Sequence, residues 1–597
     1  MTQNPYKDAD TGTAVSLGIY WRWTVPAVAA TTAAAAIILF SLPYLFVAHI
    51  VFGGNNDQKA LLIRALAAAL SIFPLEIVGM QFPSLSGRLS RLHLPLALLS
   101  FFFFAIYLGN WIVDDAGITF AYSRNLADGY GIVAFPGHMP EEGYSSTLWM
   151  LMLAAAHVFG LPIPPTAKIL SSLFGAATLA LALQLVRPTS RPGDALGPEI
   201  FLALATICTA PFVIWSVSGQ EHSLTAFILV AVLWLLERRK DWRTWVTGLL
   251  VLLVLLRPEA PVFVAAVFFT SLADSQKETG RLQAMSNLPL AVFPFLAFCG
   301  LELFRLNYFG DLLPNPYYAK ASGDTALSAL NLLGGGWEYL ISGLRNTGLL
   351  AVIPVIVITL SRQSPRSSYY AGALIAAQFF FILWAHGDWM GQYRFFTPVI
   401  PLFAVMGARA FASLDKQSIP TSVRITLVGS LSAILLVNSA YQLSVFTLAP
   451  TTPFSVVRAV GRQFAELAKR LRVQHPILAH HDAGGILYDR SINLVDLGGL
   501  ADREVAKHMH DREWLSHYLL DEVRPTFFFG ADNFATSSGF AATSQFKREY
   551  VPLRFADLPF MQAYLCAVRR DVVQEEPGIK VVSQDGKIDQ VIVYPAQ

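Results

Sequence analysis

The sequence LPLALLSFFFFAIYLGNWIV at residues 94–113 contains no charged residue, and DDAGITFAYSRN at residues 114–125 follows it directly. An apolar run of about 20 residues is long enough to cross a membrane as a helix. Acidic side chains close to lipid are energetically costly, and those that occur there usually have a function. We therefore predict that Asp114 and Asp115 lie at the outer membrane surface and carry chemistry there.

The composition indicates a polytopic membrane protein. Of the 597 residues, 54% are hydrophobic and only 14% are charged, whereas soluble domains contain about 25% charged residues. A net charge of +2 argues against a nucleic-acid partner. The three cysteines, Cys208, Cys299 and Cys566, are far apart and predict neither a disulfide framework nor a CxxC metal site. The first apolar run is long and is predicted to be a retained anchor.

Apolar runs of span length, or nearly so, recur along residues 1–450, the predicted transmembrane catalytic domain. The predicted spans are 26–51, 60–80, 93–113, 165–187, 199–216, 222–237, 243–256, 258–273, 286–304, 343–361, 368–385, 396–413 and 423–446. Loops rich in Lys and Arg alternate correctly on the cytoplasmic side only if the short apolar segment 146–160 is re-entrant or interfacial. This predicts about 13 transmembrane helices, a cytoplasmic N-terminus and an extracytoplasmic loop at 114–145.

The composition changes near residue 450. Apolar runs shorten to strand length, as at 476–479 and 526–529, and alternate with amphipathic helical stretches such as 454–473. Residues 451–597 are therefore predicted to form a soluble α/β domain on the outer side. The fold class expected for the whole chain is an α-helical membrane protein with a C-terminal extracytoplasmic α/β domain.

Several further polar motifs fall at predicted helix exits on the same outer side as residues 114–145. Together with that loop, the motifs are DDAGITFAYSRNLADG at 114–129, EGYSSTLW at 142–149, SGQE at 218–221, RPE at 257–259, YFGDLLPNPYYAK at 308–320, HGDWM at 386–390, YRFF at 393–396 and VDLGGL at 495–500. This ordered set resembles the GT-C class of integral-membrane glycosyltransferases, especially terminal arabinofuranosyltransferases of mycobacterial type. The resemblance implies a GT-C fold and transfer of a sugar from a polyprenyl-phosphate donor to a cell-envelope glycan or glycolipid.

The transfer reaction needs a base for the acceptor hydroxyl and cations for the leaving phosphate. Asp114 or Asp115 is the candidate base, and the choice between them stays open. Arg394 is the candidate phosphate ligand, because a guanidinium group can hold a phosphate with two parallel hydrogen bonds. Lys320 is a second candidate cation, and His386 could pair with the phosphate or donate a proton.

The remaining candidates concern sugar and lipid binding. Asp388 and Glu221 are acids at helix exits that could bind sugar hydroxyls, or pair with Arg394 and Arg257. Tyr318 and Trp389 could stack on sugar or isoprenoid, and an interfacial aromatic belt explains them equally well. No dedicated metal cage is evident, and a divalent cation, Mg²⁺ or Mn²⁺, is left open.

The sequence His480-His481-Asp482 resembles a metal or catalytic cluster. The further ligand that a zinc site requires is not evident. We predict a loop of the outer domain without a catalytic role, and leave open whether it faces the acceptor.

The predicted function is glycosyl transfer at the outer face of a bacterial inner membrane, with the sugar and acceptor left open. The alternative is a carrier or flippase for lipid-linked sugars. Transporters typically place polar groups near the bilayer midplane and contain internal repeats. Here the acids cluster at helix exits and no repeat is visible, which favours the transferase.

Overall fold

The chain consists of an apolar helical part followed by a C-terminal part built on a β-sheet. The structure is a computed structural model, and it describes residues 56–72, 90–186, 197–279, 284–321, 335–353, 356, 365–414, 421–531, 539–557, 564–584 and 587–595. The predicted first span, 26–51, lies outside the described residues.

The helices of the apolar part are named in chain order. They are α1 Asn56–Leu70, α2 His93–Tyr107, α3 Asp114–Ala127, α4 Thr147–Val158, α5 Ile163–Val186, α6 Gly197–Ile207, α7 Ala210–Trp215, α8 His222–Arg238, α9 Trp242–Leu256, α10 Ala260–Thr279, α11 Ala284–Asn287, α12 Pro289–Tyr308, α13 Asn315–Ala321, α14 Gly335–Asn346, α15 Arg366–Trp384, α16 Ile400–Leu414 and α17 Thr421–Leu448. Short 3₁₀ helices lie at Ser90–Leu92, Leu349–Ala351 and Arg394–Phe396.

Within the described residues, four helices are long and apolar enough to cross a membrane: α5, α12, α15 and the Val428–Leu448 part of α17. Shorter apolar helices, including α2, α9 and α16, accompany them. The predicted total of about 13 transmembrane helices therefore remains a prediction. Helix α4 has 12 residues, and its length of about 18 Å is too short for a hydrocarbon core of about 30 Å.

Two predicted spans are interrupted. The segment 199–216 forms two helices, because Thr209 is extended and Pro211 lies at the start of α7, where proline fits a helix beginning. The segment 343–361 is not one continuous helix. Helix α14 ends at Asn346, and Gly348 follows in the left-handed region with a φ of 76°.

The C-terminal part contains a seven-stranded mixed sheet in the order β2-β1-β3-β5-β4-β7-β6. Its strands are β1 Ile477–His480, β2 Asn493–Asp496, β3 Phe527–Ala531, β4 Tyr550–Phe555, β5 Tyr564–Arg569, β6 Ile579–Gln584 and β7 Lys587–Val593. Strand β1 runs parallel to β2 and β3, and β3 and β5 are antiparallel. Its helices are α18 Phe454–Arg470, α19 Gly484–Asp489, α20 Arg503–His508, α21 Arg512–His517 and α22 Ser544–Glu549.

Helix α18 packs one apolar face on this sheet. Val457, Val460, Phe464 and Leu467 recur at spacings of three or four residues and are buried. The ring of Phe464 lies 5.3 Å from that of Phe527. This packing buries the apolar stripe of an otherwise polar helix and fixes α18 to the domain.

The start of α3 is joined to the start of α18 by backbone hydrogen bonds. The Asp114 N–H donates to the Thr452 carbonyl at 2.9 Å, and the Phe454 N–H donates to the Ile112 carbonyl at 2.9 Å. Helix α3 also packs against α19. The acidic pair therefore lies where the helical part meets the C-terminal domain, which the sequence predicts to be an outer domain.

Candidate active site

The adjacent acids Asp114 and Asp115 have different surroundings. The carboxylate of Asp114 is buried, with 3% of the residue exposed. It accepts hydrogen bonds from the backbone N–H groups of Gly484, at 2.9 Å, and Gly485, at 2.7 Å. Burial, together with the charges of Asp482 and Asp115, raises the pKa of Asp114 well above its ordinary value. Asp114 therefore acts as an anchor between α3 and the outer domain.

Asp115 faces a cation. Its carboxylate lies 3.3 Å from a terminal nitrogen of Arg394, and a quarter of its side chain is exposed. Arg394 is buried and also pairs with Asp388, with 2.6 Å between Nε and Oδ2 and 3.0 Å between Nη2 and Oδ1. The structure thus brings together three residues that the sequence singled out, and it makes Asp115 the accessible acid of the first pair.

An unusual backbone conformation precedes Arg394. His386, Gln392 and Tyr393 all have positive φ values, between 49° and 66°. Non-glycine residues rarely adopt this region and do so at a cost that the surrounding structure must offset. The Gln392 carbonyl accepts a hydrogen bond from Trp215 Nε1 at 2.9 Å. These contacts position the arginine.

A second buried ionic cluster surrounds Arg257. Its guanidinium group pairs with Glu221 and with Glu259, the latter at 2.8 Å. The pairing of Glu221 with Arg257, one of the roles predicted for Glu221, is thus present, and Glu259 is a second partner of Arg257. The Ser218 carbonyl, at the start of the same motif as Glu221, accepts a hydrogen bond from the Val113 N–H at 3.2 Å. This links the second cluster to the acidic pair.

His222 lies between these clusters and was not predicted from the sequence. It is 2% exposed, and neither ring nitrogen has a hydrogen-bond partner among the described residues. Both Arg257 and Arg394 lie near enough to act on it electrostatically. A lone histidine at the start of an apolar helix carries no sequence signal of function, so only the fold identifies it.

The segment at Glu141 and Glu142 is held by an ion pair on one side and by hydrogen bonds on the other. Glu142 pairs with Arg305 of α12, with 2.7 Å between Oε2 and Nε. Glu141 accepts from the Arg503 backbone N–H at 2.8 Å and from the Asn315 side chain at 3.1 Å. Burial raises the pKa of Glu141 to about 8. The loop is therefore clamped between a helix of the apolar part and α20 of the outer domain.

The other predicted donor-site residues do not join the Asp115–Arg394 pair. Tyr318 is half-buried and lies 5.6 Å from Lys507 Nζ of the outer domain. His386 and Trp389 are exposed. Lys320 belongs to α13, and its side chain lies outside the described part of the structure. The roles predicted for these four residues remain predictions.

The VDLGGL motif at 495–500 forms a turn. The buried carboxylate of Asp496 accepts from the backbone N–H groups of Gly498 and Ala501, each at 2.8 Å. Burial raises its pKa to about 7. A Cβ added at Gly143 would lie 2.6 Å from the Leu500 carbonyl oxygen, so the turn packs closely on the first loop.

Among the residues that the structure describes, no group of three or more His, Cys, Asp or Glu side chains is arranged to hold a metal ion. The acids of both clusters are instead engaged by arginines.

No protein-family model matches the chain, and no curated protein sequence matches it. Among solved structures, ArnT from Cupriavidus metallidurans bound to undecaprenyl phosphate is similar, with 15% identity over 84% of this chain and 97% of that one and a TM-score of 0.46. The archaeal oligosaccharyltransferase AglB from Archaeoglobus fulgidus, in complex with an inhibitory peptide and a dolichol-phosphate, has 10% identity over 83% of this chain and 75% of that one and a TM-score of 0.45. Similarity at this level does not reveal what this chain binds or catalyses.

Proposed function

We propose that the protein is a GT-C glycosyltransferase that moves a sugar from a polyprenyl-phosphate donor to a glycan or glycolipid acceptor. The reaction takes place at the outer face of a bacterial inner membrane. The resemblance of the ordered motifs to terminal arabinofuranosyltransferases makes arabinofuranose the first sugar to test, followed by other pentoses and hexoses.

The observation that carries the proposal is the pairing of an accessible carboxylate with a buried arginine. Asp115 is a quarter exposed and lies 3.3 Å from Arg394. A glycosyl transfer from a lipid phosphate needs a base for the acceptor hydroxyl and a cation for the leaving phosphate. Asp115 and Arg394 supply both groups at one place, close to the end of an apolar segment.

In the proposed reaction, Asp115 takes the proton of the acceptor hydroxyl. The hydroxyl oxygen forms a bond to the anomeric carbon while the bond from that carbon to the phosphate oxygen breaks. The electron pair leaves with the polyprenyl phosphate, whose charge Arg394 stabilises. Asp388 keeps the guanidinium group oriented when Asp115 turns to the acceptor. The N-terminus of α3 favours the ionised form of Asp115.

His222 and Arg257 extend the proposed phosphate site. The buried His222 imidazole has no hydrogen-bond partner among the described residues and can donate a hydrogen bond to a phosphate oxygen. The proposed glycosyl transfer includes no step on a metal ion. The proposal is compatible with the polyprenyl phosphates in the two similar solved structures, but it does not depend on them.

The proposal is tested with the full chain reconstituted in lipid nanodiscs. Polyprenyl-phosphoryl arabinofuranose and a panel of other polyprenyl-phosphoryl sugars are incubated with arabinofuranosyl oligosaccharides. We expect a product with a new glycosidic bond, and a loss of about 10²–10⁴-fold in rate for Asp115→Asn.

Asp241→Asn is the matched control, because Asp241 also precedes a helix and pairs with an arginine, Arg239, at 3.0 Å. It is expected to leave the transfer rate unchanged. Movement of intact donor across the bilayer without any new glycosidic bond would favour the carrier and refute the enzyme.

A further inference from the structure

The His480-His481-Asp482 loop of the outer domain lies beside the acidic pair. Asp482 is two residues before Gly484, whose N–H donates to Asp114 Oδ2 at 2.9 Å. Two short segments, 114–115 and 482–485, are therefore held side by side. The motif that the sequence presented as an ordinary loop thus borders the proposed base.

The contact between these segments is a backbone contact and leaves little freedom. A Cβ added at Gly484 would lie 1.9 Å from the Asp114 carbonyl oxygen. A Cβ added at Gly117 would lie 2.6 Å from the Gly484 carbonyl carbon. Real Cβ atoms do not approach other atoms so closely, so both positions require glycine. The position of Asp482 relative to α3 is consequently fixed.

His481 and Asp482 form a pair, with 3.5 Å between Nε2 and Oδ2, and each side chain is about a quarter exposed, at 24%. Asp115 is exposed to the same degree, at 25%. The neighbours Asp114 and His480 are buried, each with 3% exposed. The buried groups, Asp114 and His480, therefore hold the structure, and the partly exposed groups, Asp115, His481 and Asp482, can contact a ligand.

The accessible groups interact electrostatically. Burial raises the pKa of Asp482, the neighbouring His481 lowers it, and the nearby Asp115 raises it further. The backbone geometry places these groups together, because Asp115 directly follows Asp114, and Asp482 lies two residues before Gly484, whose N–H donates to Asp114 Oδ2 at 2.9 Å. A molecule in contact with Asp115 is therefore near Asp482.

The charges around this pair indicate which substrate it binds. Asp115 and Asp482 are both acids, and the cation Arg394 is engaged by Asp115 and by Asp388. A phosphate placed against Asp482 would be repelled by the two carboxylates. A neutral polyhydroxyl compound would not be repelled, since its hydroxyls can donate to a carboxylate and accept from an imidazole N–H.

We propose that His481 and Asp482 form the acceptor subsite, in which they bind hydroxyl groups of the acceptor glycan and hold the attacking hydroxyl next to Asp115. This inference rests on the proposed glycosyl transfer. The outer domain thereby contributes binding residues to the active site, and the site is incomplete without it.

The test uses the full-length protein in nanodiscs with polyprenyl-phosphoryl arabinofuranose and a short arabinofuranosyl oligosaccharide. For Asp482→Asn and His481→Gln we expect the acceptor KM to rise about tenfold or more, as for loss of a hydrogen bond to a charged group. The donor KM, and the slow hydrolysis of donor in the absence of acceptor, should stay within about twofold of wild type. Asp482→Glu, which keeps the charge, should retain part of the acceptor affinity.

The matched control is the double variant His517→Gln, Asp521→Asn. This pair is also a His–Asp pair of the outer domain, at 2.8 Å, but it is strongly exposed on α21 and the turn after it. Its removal should leave the acceptor KM unchanged. Melting temperatures of all variants establish that they are folded.

An unchanged acceptor KM in folded Asp482→Asn and His481→Gln would overturn the subsite, and so would a parallel rise in the donor KM. If wild-type protein forms no product, the proposed function fails by itself. Direct titration of the oligosaccharide by ligand-observed NMR then still tests the subsite. Weaker binding to Asp482→Asn than to wild type would support the subsite, and equal binding would reject it.

Discussion

Replacing Asp114 and Asp115 one at a time should separate the stability of the protein from its catalysis. Asp114→Ala leaves the N–H groups of Gly484 and Gly485 buried without their acceptor. Each such loss costs about 1–3 kcal/mol. Relief of the buried carboxylate's desolvation offsets part of this cost, so we expect a net loss of about 2–4 kcal/mol in the free energy of unfolding.

The corresponding change at Asp115 should have little effect on stability. Arg394 keeps its pair with Asp388 in Asp115→Asn, and the ion pair that is lost is partly exposed. Such pairs contribute about 0–1 kcal/mol. The transfer rate, in contrast, should fall by about 10²–10⁴-fold, because the base is gone.

The assay combines melting temperatures in nanodiscs with transfer rates measured well below the melting temperature of each variant. Asp114→Ala should melt early but transfer sugar while folded, and Asp115→Asn should melt like wild type and be inactive. The reasoning is refuted if Asp115→Asn keeps more than about a tenth of the wild-type rate. It is also refuted if Asp114→Ala melts like wild type yet is inactive, which would make Asp114 the base.

Three further changes test other parts of the site. Gly484→Ala should lower the free energy of unfolding by about 1–3 kcal/mol, because the added Cβ would overlap Asp114. Gly372→Ala is the control in the same melting experiment, because a Cβ added at Gly372 would lie in open space. Arg394→Lys should raise the donor KM at least about tenfold, since lysine cannot hold a phosphate with two parallel hydrogen bonds; an unchanged donor KM would place the phosphate elsewhere. Burial raises the pKa of Asp496 to about 7. Protonated Asp496 therefore makes its full contribution to the free energy of unfolding below about pH 4, and this contribution is lost as the pH rises through about 7. Melting curves at pH 5 and pH 8 should therefore show Asp496→Asn gaining on wild type at the higher pH, by up to about 3 kcal/mol; parallel pH profiles would contradict this.

Part of the fold follows directly from the sequence. The helices Ile163–Val186, Pro289–Tyr308 and Arg366–Trp384 coincide closely with predicted spans, because a long apolar run has few alternatives to a helix. The prediction failed where one residue interrupts such a run. At Pro211 and Gly348, the backbone requirement of a single position outweighs the hydrophobicity of its neighbours.

The site was predictable only in part, because its contacts join distant parts of the chain. Asp115 and Arg394 are 279 residues apart; both were predicted to belong to one active site, but their ion pair was not predicted. The bond from Asp114 to Gly484 spans 370 residues and ends on a backbone N–H. Every residue except proline carries a backbone N–H, so the sequence does not show which one the Asp114 carboxylate binds. For this reason the two acids looked equivalent in the sequence.

The geometry of a helix explains why neighbouring acids have different roles. Successive residues of an α-helix point about 100° apart, so Asp114 and Asp115 in the first turn of α3 cannot face the same group. Helix α3 lies between the apolar helices and the outer domain, and each acid faces one of them. The Asp114 side chain holds the first turn against Gly484 and Gly485, and the backbone hydrogen bonds from Asp114 to Thr452 and from Phe454 to Ile112 hold the same turn. The position of Asp115 opposite Arg394 therefore does not depend on the Asp114 side chain alone, which is why Asp114→Ala should still transfer sugar while folded.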